Sequence, residues 1–298
     1  MRGSVGLVLK DTALEPELGG RLSQMLVSMT DRGPDSAGIA VYGAGSDSHI
    51  KISLQSEDPD ADFDSLSAAL TGLIGDVFSV ELKSTHAIYT IPADELDAFE
   101  ALVAAEFPLL TTMSRGQSME IFKEVGLPKD VVSRFGITQM AGTHGIGHTR
   151  MATESAVTTN GAHPFSTGAD QCLVHNGSLS NHNNLRRVLT HNGITLETEN
   201  DSEVAAAYLT WQLQNGANQG EALESGLGDL DGFFTFVVGT KDGFGVLRDP
   251  IACKPAVLAE TDQYVAFGSE YRALVNLPGI GDAKIWEPEP ATVYFWER

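Results

Sequence analysis

The chain has 298 residues, 20% of them charged, with 40 acidic against 19 basic side chains and a formal net charge of −21. That length supplies one large or two modest cores. The acidic excess argues against nucleic acid and anionic membrane surfaces as partners, since both need cationic patches. Cys172 and Cys253 stand in apolar runs with no metal-ligand spacing and no disulfide framework, which suits a reducing compartment. The start MRGSVGLVLKD has no signal-peptide core, and no apolar run approaches the ~20 residues of a membrane span. The expectation is a soluble, cytoplasmic protein without membrane association.

In chain order, Val5–Leu9 has the continuous apolar character of a buried strand. Leu14, Leu18, Leu22, Met25, Leu26 and Met29 follow at helical spacing, and the turn-rich DRGPDSAG leads into a strand over Ile39–Tyr42. His49–Leu54 alternates as a strand. The acidic EDPDADFD is a solvated loop leading into a helix. Val80–Ile91 alternates, and PADELDAFEALVAAEF predicts an amphipathic helix opened by Pro92 and Asp94. Two further helical segments are predicted around Ser118–Val125 and Pro128–Phe135. The stretch from about 44 to 140 is too long and too apolar for a loop, which makes it a small α+β insertion. Beyond it, Gln171–His175 is a buried-type strand. NNLRRVL is helical with Ser180 as its cap, and the segment around DSEVAAAYLTWQL is helical with Asp201 at its start. Leu230–Thr240 and Gly245–Arg248 form a hairpin through Lys-Asp-Gly. Strands follow at Tyr264–Gly268 and in the aromatic tail, with SEYRALVNL helical between them.

The stretch GIGHTRMATESAVTTNGAHPFSTGADQCLVHNG, 145–177, concentrates the chemistry. With His144 beside it, it holds four of the eight histidines. Arg150 offers a planar fork of donors suited to a carboxylate. Asn176 followed by Gly177 offers a side-chain amide and an unobstructed backbone N–H, a donor pair of the kind an oxyanion needs. His182 and His191 read as surface residues.

GHTRMAT, then AHP with His163 ten residues after Thr153, then HNG, then NDSEV, with MTDRGPDSAGIAVYG near the start, together resemble class II glutamine amidotransferase domains. The resemblance covers about 1–43 and 141–275. It implies an N-terminal-nucleophile hydrolase fold, α+β, a four-layer αββα sandwich spanning 1–298 with the insertion at about 44–140. It also implies site roles. Arg150 would bind the substrate's α-carboxylate and Asp201 its α-ammonium. Thr153, His163 and Arg32 would shape the pocket, and Asn176 and Gly177 would supply the oxyanion donors. Over its full length the chain most resembles the amidotransferase-like subunits of N-methylglutamate synthases. That resemblance implies glutamate-synthase-like partner subunits, one of which carries FMN and an iron–sulfur cluster. It implies no cofactor in this chain, and glutamine, glutamate or methylamine as the small ligand.

One departure is decisive for the chemistry. The family opens Met-Cys-Gly-Ile-Val-Gly, and the cysteine, freed by methionine removal, supplies both thiolate and α-amine base. Here the register reads Met1-Arg2-Gly3-Ser4-Val5-Gly6. Arginine has no nucleophilic chemistry at neutral pH, and a bulky second residue hinders removal of Met1. The nitrogen of Ser4 is a peptide amide. Cys172 and Cys253 match no nucleophile position and read as core residues. Glutamine hydrolysis is therefore not expected. MRGS also resembles an expression-vector leader, and the sequence leaves open whether a native Met-Cys-Gly-Ile has been overwritten; in that case the chain would be a glutaminase feeding a synthase. A non-catalytic subunit that senses an amino acid is the third reading.

Overall fold

The computed structural model describes residues 2–151 and 157–297. The elements in chain order are β1 (Arg2–Leu9), α1 (Leu18–Ser28), β2 (Ser36–Tyr42), β3 (His49–Gln55), α2 (Pro59–Ile74), β4 (Ser79–Lys83), β5 (His86–Pro92) and α3 (Leu96–Glu106). Then come β6 (Thr111–Gly116), β7 (Met119–Val125), α4 (Pro128–Phe135), β8 (His144–Arg150), β9 (Phe165–Gly168), β10 (Gln171–Leu179), α5 (His182–His191), α6 (Asp201–Gln214) and α7 (Gln219–Asp229). The chain closes with β11 (Gly232–Thr240), β12 (Gly243–Arg248), β13 (Val257–Glu260), β14 (Tyr264–Gly268), β15 (Lys284–Trp286) and β16 (Thr292–Glu297).

Two antiparallel sheets form the body, a seven-stranded one ordered β15-β13-β14-β1-β8-β2-β7 and a five-stranded one ordered β16-β12-β11-β10-β9. Strand alternation decides what each face meets. In β1, Val5, Leu7 and Leu9 pack beneath Leu18, Leu22, Met25 and Leu26 of α1. Val8 points the other way, into a core shared with Ile146, Cys172, Val174, Val237 and Phe244 from both sheets. Leu173, Phe236 and Val238 turn outward from the five-stranded sheet to meet Val204, Leu209 and Leu223 of α6 and α7. The layers therefore run helix, sheet, sheet, helix, the arrangement expected from the family resemblance. Burial of each core leucine or phenylalanine contributes about 1.5–3 kcal/mol.

The third sheet, β4-β5-β3-β6, carries α2 and α3 through a separate core built on Ile52, Tyr89, Phe63 and Phe99. This insertion is shorter than the expected 44–140, because β7 pairs with β2 at the rim of the main sheet and α4 packs on α1. Residues 119–125 form a strand rather than the expected helix. Met119 and Ile121 face the inter-sheet core while Phe122 faces α1 and α4, so burial on both faces hides the alternation. The expected single strand 80–91 is a hairpin, with Ser84 at φ 56° turning the chain between β4 and β5. In place of the expected helix after β14 there is a single 3-10 turn, Tyr271–Ala273.

Asp170 pins the insertion to the body. Its carboxylate accepts from the backbone N–H groups of Gln117 (2.7 Å), Ser118 (2.9 Å) and Met119 (3.0 Å), and from Ser118 Oγ (3.0 Å). A Cβ at Gly116 would lie 2.4 Å from Asp170 Cγ, so only glycine permits the approach. Asp170 sits at φ 50°, which Asp and Asn tolerate. Asp170→Asn keeps that tolerance but turns an amide toward the N–H donors. It should cost about 1–3 kcal/mol in urea unfolding.

Candidate functional site

The site forms where the ends of β1, β8 and β10 meet the start of α6. The β1–β8 register sets Arg2 opposite Arg150 and Ser4 opposite His148. β8 lies between β1 and β2, which leaves His148 1% and Arg150 2% exposed. From the facing sheet, Asn176 Nδ2 donates to the Arg2 carbonyl (3.3 Å), and Arg2 Nη1 donates to the Gly177 carbonyl (3.3 Å). Arg32 Nε donates to the same Arg2 carbonyl (2.8 Å), while its Nη1 pairs with Glu270 Oε1 (2.5 Å). Three of the residues expected at the site, Arg32, Asn176 and Gly177, therefore converge on residue 2.

Several placements differ from the expected geometry. The Asn176 amide is directed at the Arg2 carbonyl rather than at an open oxyanion position. Both Asn176 and Gly177 lie within β10, which runs on to Leu179 instead of stopping at His175. Asp201 is not the cap of α6; Asn200 is, accepting from Ser202 N–H at 2.9 Å. Asp201 Oδ2 instead accepts from Leu179 N–H (2.9 Å), and its Oδ1 lies 3.7 Å from His175 Nδ1. No side chain caps α5, whose N-cap is Asn181 rather than Ser180. Thr153 lies outside the described residues.

Beside this pair is a buried imidazole group that the sequence reading saw only as a concentration of histidines. Ser202 Oγ bridges His163 Nε2 (2.8 Å) and His175 Nδ1 (3.0 Å), and the His163 ring stacks on His148 with centroids 4.1 Å apart. Ser202 was missed as a site residue. Its signal was a small hydroxyl in the first turn of a helix otherwise buried along most of its length. Among the described residues, His163 Nδ1, His175 Nε2, Ser4 Oγ and Thr235 Oγ1 are buried without a hydrogen-bond partner, while His148 lies against the backbone of His175. Buried polar atoms rarely stay unsatisfied, so the cluster has spare capacity for a polar ligand or water.

Burial and the nearby cations set the protonation state. Burial first and Arg2 next hold the His148 imidazole well below the usual histidine range, and burial and His148 do the same for His163. Burial pushes His175 down to about 4 against a partial offset from Asp201. Burial, followed by Arg2, also lowers the Arg150 guanidinium from its ordinary value. Cys172 lies in the inter-sheet core beside the Tyr42 hydroxyl (3.3 Å), and burial pushes its thiol up to about 12. That shift keeps the thiol protonated at neutral pH; Cys253, expected in the core, is exposed instead.

Lys123 was likewise missed. Only 3% exposed, its Nζ donates to the carbonyls of Asn160 (3.1 Å), Ala162 (3.0 Å) and Pro164 (3.3 Å), and so holds the segment that carries His163. Burial lowers it to about 8, and Glu203 and Glu197 oppose that shift. Lys123 also borders a cleft of about 570 Å³ between the insertion and α6, lined by Phe99, Phe107, Met113, Phe165 and Glu203. The charges on its floor are already engaged, Lys123 by the three carbonyls and Glu203 by Thr198 and the Glu197 N–H. The cleft therefore does not displace the Arg2–Arg150 cluster as the candidate site. Among the described residues no group of three or more His, Cys, Asp or Glu side chains could hold a metal ion.

A histidine whose folded pKa lies below its unfolded value near 6.5 binds a proton more readily when unfolded, so stability rises with pH across that window. The contribution from His148, His163 and His175 is fully present above about pH 6.5 and is lost as pH falls toward 4. The urea-unfolding free energy should therefore fall by about 2 kcal/mol or more between pH 7.5 and 5.5. Ser202→Ala removes the partner of two buried ring nitrogens and should cost a further ~2 kcal/mol at pH 7.5.

Comparison with known proteins bears on the family and the fold. A family model described as a glutamine amidotransferase domain matches residues 148–276. The chain is 65% identical over 298 residues to the glutamine amidotransferase-like protein GlxB of Rhizobium meliloti, covering 100% of this chain and 99% of that protein. It is 32% identical to a putative glutamine amidotransferase of Methanothermobacter thermautotrophicus, covering 99% of each. The glutamine phosphoribosylpyrophosphate amidotransferase of B. subtilis shares the fold, with a TM-score of 0.63 at 18% identity over 99% of this chain and 47% of that one. No helix among the described residues is long and apolar enough to cross a membrane. The chain belongs to the class II glutamine amidotransferase family, with the fold of the N-terminal-nucleophile hydrolases.

Proposed function

We propose that this chain is the amidotransferase-like subunit of a multi-subunit N-methylglutamate synthase that converts methylamine and L-glutamate to N-methylglutamate and ammonia, and that it cleaves no amide itself. The observation that supports the reading is the pairing of a retained clamp on residue 2 with the absence of a cysteine there. Arg2 stands where the family's thiolate belongs, yet Arg32 and Asn176 still grip the carbonyl of residue 2. Amide hydrolysis needs an attacking group, and oxyanion donors add nothing without one. A synthase that takes its nitrogen from a free amine has no amide to cleave, so the loss is compatible with a working complex.

In this reading the partners are glutamate-synthase-like subunits in the cytoplasm, one of them holding FMN and an iron–sulfur cluster, and this chain holds no cofactor. The test uses the assembled complex with ¹⁵N-methylamine and, separately, amide-¹⁵N glutamine. Label from methylamine should appear in N-methylglutamate, and label from the amide should not. Label arriving from glutamine in the product, or no product from methylamine and glutamate, overturns the reading.

A further inference from the structure

We propose that the cleft between the insertion and α6 is a second binding site, and that it takes a monocationic amine with an apolar body. The proposal is independent of the synthase reading, because none of the residues it uses belongs to the clamp on residue 2 or to the imidazole cluster.

The cavity comes first. Its volume of about 570 Å³ lies within the range of small-molecule sites, roughly 300–1,000 Å³. It is lined by two strands that end their sheets, β6 of the insertion sheet and β9 of the five-stranded sheet. Among the described residues no further strand covers either edge there. α3 and the turn after it supply more apolar lining, with Phe107 and Leu110 only half-buried. Apolar surface of this kind gains about 25 cal/mol per Å² when a guest covers it. The cleft also shares a wall with the candidate site. The Phe165 ring lies under Lys123 Nζ, 4.7 Å from its centroid, and edge-on to His163 at 5.0 Å. A guest therefore packs against the outside of the segment that carries His163 without entering the imidazole cluster.

Charge decides which guest. Lys123 and Arg115 are the cations of the lining, and Glu100, Glu197 and Glu203 are its carboxylates. Both cations are engaged, Lys123 Nζ by three carbonyls and Arg115 Nη1 by Glu100 at 2.5 Å. Glu203 accepts from the backbone N–H groups of Glu197 and Thr198 and from Thr198 Oγ1, each at 2.7 Å. That leaves Glu197. Among the described residues no hydrogen bond or ion pair engages its carboxylate, and it is open to solvent. Partial burial first and Glu203 next raise this carboxyl from its ordinary value, with Lys123 opposing them. An ammonium beside Glu197 offsets that repulsion and brings the lining to neutrality. A carboxylate or phosphate guest would instead meet Glu197, with Arg115 already balanced by Glu100. The apolar walls then take the body of the amine.

Titration of the full chain with three probes of one shape tests this. Tryptamine, tryptophol and indole-3-propionate carry a positive charge, none and a negative charge. Salt at about 0.15 M screens the general attraction of cations to an acidic chain. Under those conditions tryptamine should bind with a Kd below about 1 mM, and at least about tenfold more tightly than indole-3-propionate. The methyl resonances of Met113 and Val103, which line the cleft, should shift on saturation. Glu197→Gln, at a solvent-accessible position, should weaken tryptamine about threefold or more while leaving tryptophol within about twofold. An unchanged tryptamine affinity in folded Glu197→Gln overturns the proposal, as does indole-3-propionate bound as tightly as tryptamine. So does the lack of tryptamine binding at about 10 mM, or binding that leaves both methyl resonances unmoved.

Discussion

The site depends on how the carbonyl of Arg2 is held. It accepts from Arg32 Nε at the end of the α1–β2 connection and from Asn176 Nδ2 on the opposite sheet. Two charge-bearing or amide donors on one carbonyl fix the start of β1 against both sheets. Arg32 is itself braced by Glu270 after β14, so the loop, β1, β10 and the β14 exit are tied at one point. The β1–β8 pairing then carries the constraint sideways and determines that Arg150 lies beside residue 2. In a family whose chemistry begins at residue 2, this clamp would position a nucleophile. Here it positions a guanidinium.

Around that clamp the cost of burying polar groups is met unevenly. Asp170 is fully satisfied by four donors, and Lys123 by three carbonyls. Such groups are structural and rigid because breaking one partner would leave a buried charge exposed to a low dielectric. The His148–His163–Ser202–His175 group is different. One bridging hydroxyl serves two rings, and among the described residues the second nitrogen of each of those rings has no partner. Buried polar atoms without a partner also occur elsewhere among the described residues, at Ser23, Ser36 and His86 for example, so it is the clustering of such atoms on neighbouring imidazoles that sets this place apart.

Much of the architecture was legible in the sequence. α1, α3, α4, α5 and α6 follow from apolar spacing, and β1, β10, β11 and β12 from short continuous apolar runs. β7 was not legible, because a strand buried on both faces shows no clean alternation. Its Lys123 also interrupts the apolar pattern for a purpose visible only once the 160–164 segment is folded over it. The β4–β5 turn at Ser84 carries no glycine or proline to announce it. At the site, motif order brought Arg32, Arg150, His163, Asn176, Gly177 and Asp201 to notice. Their contacts were not readable, since hydrogen bonds such as Asn176 to Arg2 join residues 174 apart in sequence. The bridging role of Ser202 needed the rings of two distant segments brought to it.

The central claim is that this member of a glutamine-cleaving family retains the frame of the site without the attacking group. Glutamate release from glutamine by the purified, unmodified chain tests it most directly. Arg2→Cys, with Met1 removal verified by mass spectrometry, serves as the positive comparison, and a Cys172→Ala/Cys253→Ala double variant controls for adventitious thiols. The account predicts no release above the uncatalysed rate from the unmodified chain and measurable turnover from Arg2→Cys. Glutaminase turnover by the unmodified chain that persists when both cysteines are replaced by alanine would contradict it.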